Sequence, residues 1–68
     1  MSAILDFKIF CVERYKSEHN LEGAETFRLF NEYKVLDYLS KVYDTLHTQG
    51  EDYIVGSIDE YIEVRTPH

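Results

Sequence analysis

The chain has 68 residues, 44% of them hydrophobic and 15% aromatic, which is too apolar for a disordered segment and short enough for one domain. Thirteen acids against seven bases give a net charge of −6, so the basic footprint that phosphate neutralisation requires is missing; binding to nucleic acid or to an anionic membrane surface is not expected. Three glycines and one proline are too few for the turns of a β-sandwich.

Helical spacing recurs in four segments, and an all-α bundle of four short helices in a single domain over residues 1–68 is expected. The first runs from about Ser2 to Glu18. Ile4, Phe7, Cys11 and Tyr15 share one stripe, and Leu5, Ile9 and Val12 an adjoining one, so its apolar face is unusually wide. Ser2 is placed to cap it, and Asp6 sits where a carboxylate favours the helix dipole. Asn20 tolerates left-handed backbone angles and is the expected stop.

The second helix is expected over about Gly23 to Tyr33, with Phe27, Phe30 and Tyr33 recurring every third residue and Leu29 beside them. The third is expected over about Val35 to His47, with Leu36, Leu39, Tyr43 and Leu46 as its seam. Thr48-Gln49-Gly50 reads as a turn, Gly50 supplying the free backbone angles of a helix exit. The last helix is expected over Glu51 to Arg65 on Ile54, Ile58, Tyr61 and Ile62. Gly56 weakens it, and Ser57 with Glu60 three residues on reads as a capping box. A start at Ser57, with Tyr53-Ile54-Val55 extended before it, is therefore the alternative. Thr66-Pro67-His68 reads as a frayed tail.

Little in the sequence points to chemistry. Cys11, His19, His47 and His68 are the softer metal ligands, but no two stand at C-x-x-C or H-x-x-x-H spacing, so no metal site is expected. No glycine-rich phosphate loop is present, and no cofactor is expected. Cys11 lies on an apolar stripe, where a thiol behaves as a small inert hydrophobe. Being single, it can form no internal disulfide, and this fits a cytoplasmic setting. No apolar run approaches a membrane span, and Asp6 and Lys8 interrupt what would be a signal peptide. His47 with Asp44 three residues before it is half of a catalytic pair, but closing a helix end by donating to a free carbonyl explains His47 as well. A non-enzymatic protein is expected.

Two anomalies suggest association. Residues 1–34 carry six acids and five bases, whereas residues 35–68 carry seven acids and two bases; such a surface steers a basic partner protein. Six tyrosines cannot all be buried in so small a domain, and tyrosine is favoured in interfaces. An acidic, tyrosine-rimmed face around Tyr38, Asp44, His47, Tyr53 and Tyr61 is the expected docking surface for a protein partner, with a symmetric homodimer as the alternative.

The stretch Tyr43-Asp44-Thr45-Leu46-His47-Thr48-Gln49-Gly50, followed by Tyr53-Ile54-Val55 and Ile58-Asp59-Glu60-Tyr61-Ile62, resembles a family of small bacterial proteins of unknown function. That family shares a Tyr-Asp-x-Leu-His-Thr-x-Gly block and a closing Ile-x-x-Tyr-Ile. Phe10-Cys11-Val12-Glu13 and Leu29-Phe30-Asn31-Glu32-Tyr33 are also similar to it, so the likeness spans nearly the whole chain. The resemblance implies a place beside other small genes, some resembling ADP-ribosyltransferase-like toxins. With that comes an accessory, antitoxin-like or regulatory role. It implies no catalytic residue.

Overall fold

A computed structural model describes residues 2–67. Four helices follow in chain order: α1 (Ala3–Glu18), α2 (Gly23–Glu32), α3 (Val35–Leu46) and α4 (Glu51–Arg65). Each begins within a residue of where sequence spacing places it, and α2 and α3 each end one residue earlier.

The helix ends follow from local chemistry. Ser2 Oγ accepts the backbone N–H of Leu5 at 3.2 Å, satisfying one of the free donors of the first turn. At the far end Asn20 adopts φ 53°. The Leu21 N–H then reaches Lys16 O at 2.9 Å and the Asn20 N–H reaches Ser17 O at 3.3 Å, the paired bonds of a Schellman stop. Lys34 is also left-handed between α2 and α3, with φ 55°, and its N–H reaches Asn31 O at 3.3 Å. Nothing in its side chain announces that conformation, which costs a β-carbon-bearing residue about 1 kcal/mol.

Two sequence expectations are corrected. Gly50 is not a left-handed exit: its φ is −71° and it stands as the residue before α4. Tyr53-Ile54-Val55 is not extended, and α4 does not start at Ser57; the helix runs unbroken through both from Glu51. Burial decides this, because Ile54, Val55, Ile58 and Ile62 all face the core at helical spacing. That packing outweighs the roughly 1 kcal/mol penalty of Gly56. A β-carbon at Gly56 would meet nothing within 4 Å. Gly56→Ala is therefore expected to raise stability by about 0.5–1 kcal/mol, read as an increase in the urea midpoint with an unchanged slope.

One core holds the bundle together. Cys11, Phe30, Val35, Leu39 and Ile58 are fully enclosed, with Phe7, Val12, Tyr15, Leu46, Ile54, Val55 and Ile62 around them. α1 packs on all three other helices, α2 on α3, and α3 on α4. Fully buried Thr26 is the polar member; its Oγ1 donates to Glu22 O at 3.0 Å, so its burial leaves no orphan donor. Thr66 is tied down as well: its Oγ1 donates to Ile62 O at 2.8 Å and lies 3.3 Å from the Tyr33 hydroxyl. His68 lies outside the described residues. Among the described residues no helix is long and apolar enough to cross a membrane.

Candidate functional site

The five residues expected to form one docking face are divided by the structure. Tyr38 and Tyr61 come together, with stacked rings whose centroids are 4.1 Å apart. Tyr61 also works inside the fold. Its hydroxyl donates to Tyr33 O at 2.8 Å, capping the end of α2 from α4. Arg65 lies over the Tyr61 ring, 3.7 Å from its centroid, and donates to Tyr61 O at 3.2 Å. Burial pushes the Tyr38 hydroxyl's pKa up, and the charge of Glu60 adds to that. Tyr53 contributes to the same shift and is 61% exposed. Asp44 and His47 project elsewhere: at 100° per residue they sit about 120° and 180° around α3 from Tyr38.

His47 closes its helix as expected. Its Nδ1 lies 2.6 Å from Tyr43 O, and a carbonyl only accepts, so Nδ1 carries the proton. The ring stacks flat on Tyr43, centroids 4.3 Å apart. Among the described residues Asp44 makes no hydrogen bond or ion pair, so it does not orient His47. Cys11 is fully enclosed, and burial pushes its thiol up to about 12, far from thiolate reactivity.

One polar cluster escaped sequence reasoning. His19 Nε2 lies 2.7 Å from Asp59 Oδ1, and its ring stacks on Tyr15 with centroids 4.2 Å apart. Tyr15 is pushed up to about 12, first by burial and then by the Asp59 charge and a hydrogen bond to it. The cluster joins the end of α1 to the middle of α4. No spacing rule links residues 40 positions apart, so no local signal could have found it. Among the described residues no group of three His, Cys, Asp or Glu side chains is placed to hold a metal ion.

The most distinct surface feature lies on the other side of α1. Leu5 and Ile9 are 56% and 55% exposed, and Phe27 of α2 is 53% exposed. With Val12 and Leu36 they line a groove of about 220 Å³, and Lys8 and Glu13 complete its walls. The cause is the width of the apolar face of α1. Phe7, Cys11 and Tyr15 use one side of the helix for the core, and the Leu5–Ile9 stripe is left with no helix to cover it. Large side chains of this kind gathered around a concavity mark a contact surface more often than isolated exposed apolar residues do.

No curated protein and no solved structure matches the chain. Residues 6–65, which take in α2, α3, α4 and most of α1, match the family described as a protein of unknown function, DUF3791, and the chain belongs to that family.

Proposed function

We propose that this chain is a non-enzymatic protein-interaction module that docks an apolar segment of another chain in the α1–α2 groove. The observation that carries the reading is the exposure of Leu5, Ile9 and Phe27 around one concavity. Removing the exposed half of each from water is worth roughly 1 kcal/mol apiece. That sum rivals the few kcal/mol a domain of this size holds in total. A groove of this kind suits an amphipathic helix presenting anchors at i and i+4. The antitoxin-like or regulatory role implied by the resemblance would be exercised through such a contact, in the cytoplasmic setting that the unpaired cysteine suggests. The tyrosine face is a weaker candidate because Tyr61 is already occupied in capping α2 and holding Arg65.

Co-expression with the products of adjoining genes tests the proposal. The wild-type chain is expected to co-purify with one of them at low salt. Ile9→Glu should weaken that complex at least about tenfold while leaving the helical circular dichroism intact, because Ile9 contributes to the groove and not to the core. A complex indifferent to Ile9→Glu would overturn the assignment, as would a wild-type chain that binds neither an adjoining gene product nor a second copy of itself. A symmetric pair of these chains is the second reading, favoured by the charges that flank α1.

A further inference from the structure

We infer that the occupant of the groove is a second copy of this chain, paired through α1 running parallel to α1 of the partner subunit. The inference rests on the groove being a docking surface and adds its partner and orientation. Along α1, Leu5 and Ile9 are both more than half exposed, and with Val12, which the chain's own core already encloses at the floor of the groove, they fall on the alternating three- and four-residue spacing of a two-helix seam. Ser2 and Lys16 continue that stripe and bound it with polar ends.

The residues beside the seam fix the orientation. Lys8 lies on one flank, while Asp6 and Glu13 lie on the other, so one edge is basic and the other acidic. In a parallel twofold pair, each edge faces the opposite edge of the second copy. A residue on the first edge then meets the residue five positions later on the second, because both sit level across the seam. Lys8 of each chain is thereby set against Glu13 of the partner subunit, twice over. An antiparallel twofold pair would face each edge with its own kind and bring the two acidic edges together. Glu13 also lies 3.7 Å from Lys16 of its own helix, an exposed contact too weak to withhold it from a second cation. Phe27 and Leu36, beside Lys8 in the groove wall, add apolar cover.

Sedimentation equilibrium over a concentration series reads the outcome, with circular dichroism as the folding control. Wild type is expected to approach the mass of two chains. K8E and E13K should each raise the dissociation constant roughly tenfold, since each replaces two attractions by two repulsions. The double variant K8E/E13K should restore pairing, and an equimolar mixture of the two single variants should form a mixed dimer tighter than either alone. High salt should narrow all these differences. A wild-type chain that stays single at the highest concentration overturns the inference, as does a dimer indifferent to the charge swaps. If wild type stays single while Ile9→Glu still disrupts a complex with an adjoining gene product, self-pairing fails and the docking surface stands. A wild-type dimer unmoved by either kind of substitution removes both.

Discussion

Phe30→Ala is expected to abolish the cooperative thermal transition, while Phe27→Ala, three residues earlier on the same helix, should shift the midpoint by no more than a few degrees. Phe30 is fully enclosed and meets Tyr15 edge-to-face, centroids 5.3 Å apart. Truncating such a ring costs about 3–5 kcal/mol through lost transfer energy and the cavity left behind. The aromatic contact adds about 0.5–1.5 kcal/mol. A single core in a chain this short supplies only about 3–5 kcal/mol, so the loss takes the whole margin. Phe27 is 53% exposed and its removal leaves no closed cavity. Near-ultraviolet circular dichroism during heating distinguishes the two variants. Comparable destabilisation by both would mean that Phe27 is covered in solution, which is the state expected at concentrations where α1 pairs.

The contrast between these two phenylalanines shows where sequence reasoning runs out. Phe27, Phe30 and Tyr33 recur every third residue and look equivalent in the sequence. A helix turns 300° over three residues, so such a row drifts around the cylinder. From Phe30 the buried arc of α2 runs to Thr26, with half-buried Tyr33 just past the helix end, and Phe27 falls about 100° from Thr26, at the rim. Thr26 went unnoticed because its hydroxyl hides the fact that a self-satisfied side chain can be fully enclosed. In α1 the same geometry left two stripes, and the sequence could not say that the bundle covers one of them and only Val12 of the other. In α3, by contrast, Leu39 and Leu46 lie a full heptad apart and both are buried as their spacing requires.

The helix count and nearly all boundaries were legible because each rests on local physics: a capping serine, an asparagine at a stop, runs at a 3.6-residue period. What was not legible depends on distant residues meeting. The separation of Asp44 and His47 from Tyr38 is an exception, since helix geometry alone turns them away from it, whereas the meeting of Tyr38 with Tyr61 takes the packing of α3 on α4. The Tyr61 hydroxyl bond to Tyr33 O and the His19–Asp59 contact each span the fold. Gly56 left an alternative start at Ser57 open, since its local cost is real, but that cost is outweighed by the four apolar residues around it and the helix runs over Glu51–Arg65 as expected.

Alkaline pH is expected to unfold the chain well before its backbone chemistry is threatened, with Cys11 and Tyr15 the main contributors and the raised Tyr38 hydroxyl adding in the same direction. Cys11 and Tyr15 are neutral when protonated and both are enclosed, at 0% and 5% exposure. Burial raises the Cys11 thiol from 9.0 to about 12, and burial with the Asp59 carboxylate beside it raises the Tyr15 hydroxyl from 10.0 to about 12. Above pH 9 the unfolded chain releases the thiol proton while the folded chain retains it, so the folded state binds more protons and stability falls as pH rises. The slope is about 1.4 kcal/mol per pH unit for one such proton, and it approaches twice that once Tyr15 joins above pH 10. By pH 12 the combined loss is several kcal/mol, comparable to the whole margin of a domain of this size. Below about pH 8 neither group contributes any dependence. Urea titrations at pH 7, 8, 10 and 11 should therefore give nearly equal stability at the first two and a steepening decline at the others. Cys11→Ala should start less stable at neutral pH because of the cavity it leaves, yet decline less steeply between pH 8 and 10, since the thiol proton is gone. A Cys11→Ala profile parallel to wild type across that interval would show that the thiol titrates no differently in the folded chain, and would remove burial of Cys11 as the source of alkaline sensitivity.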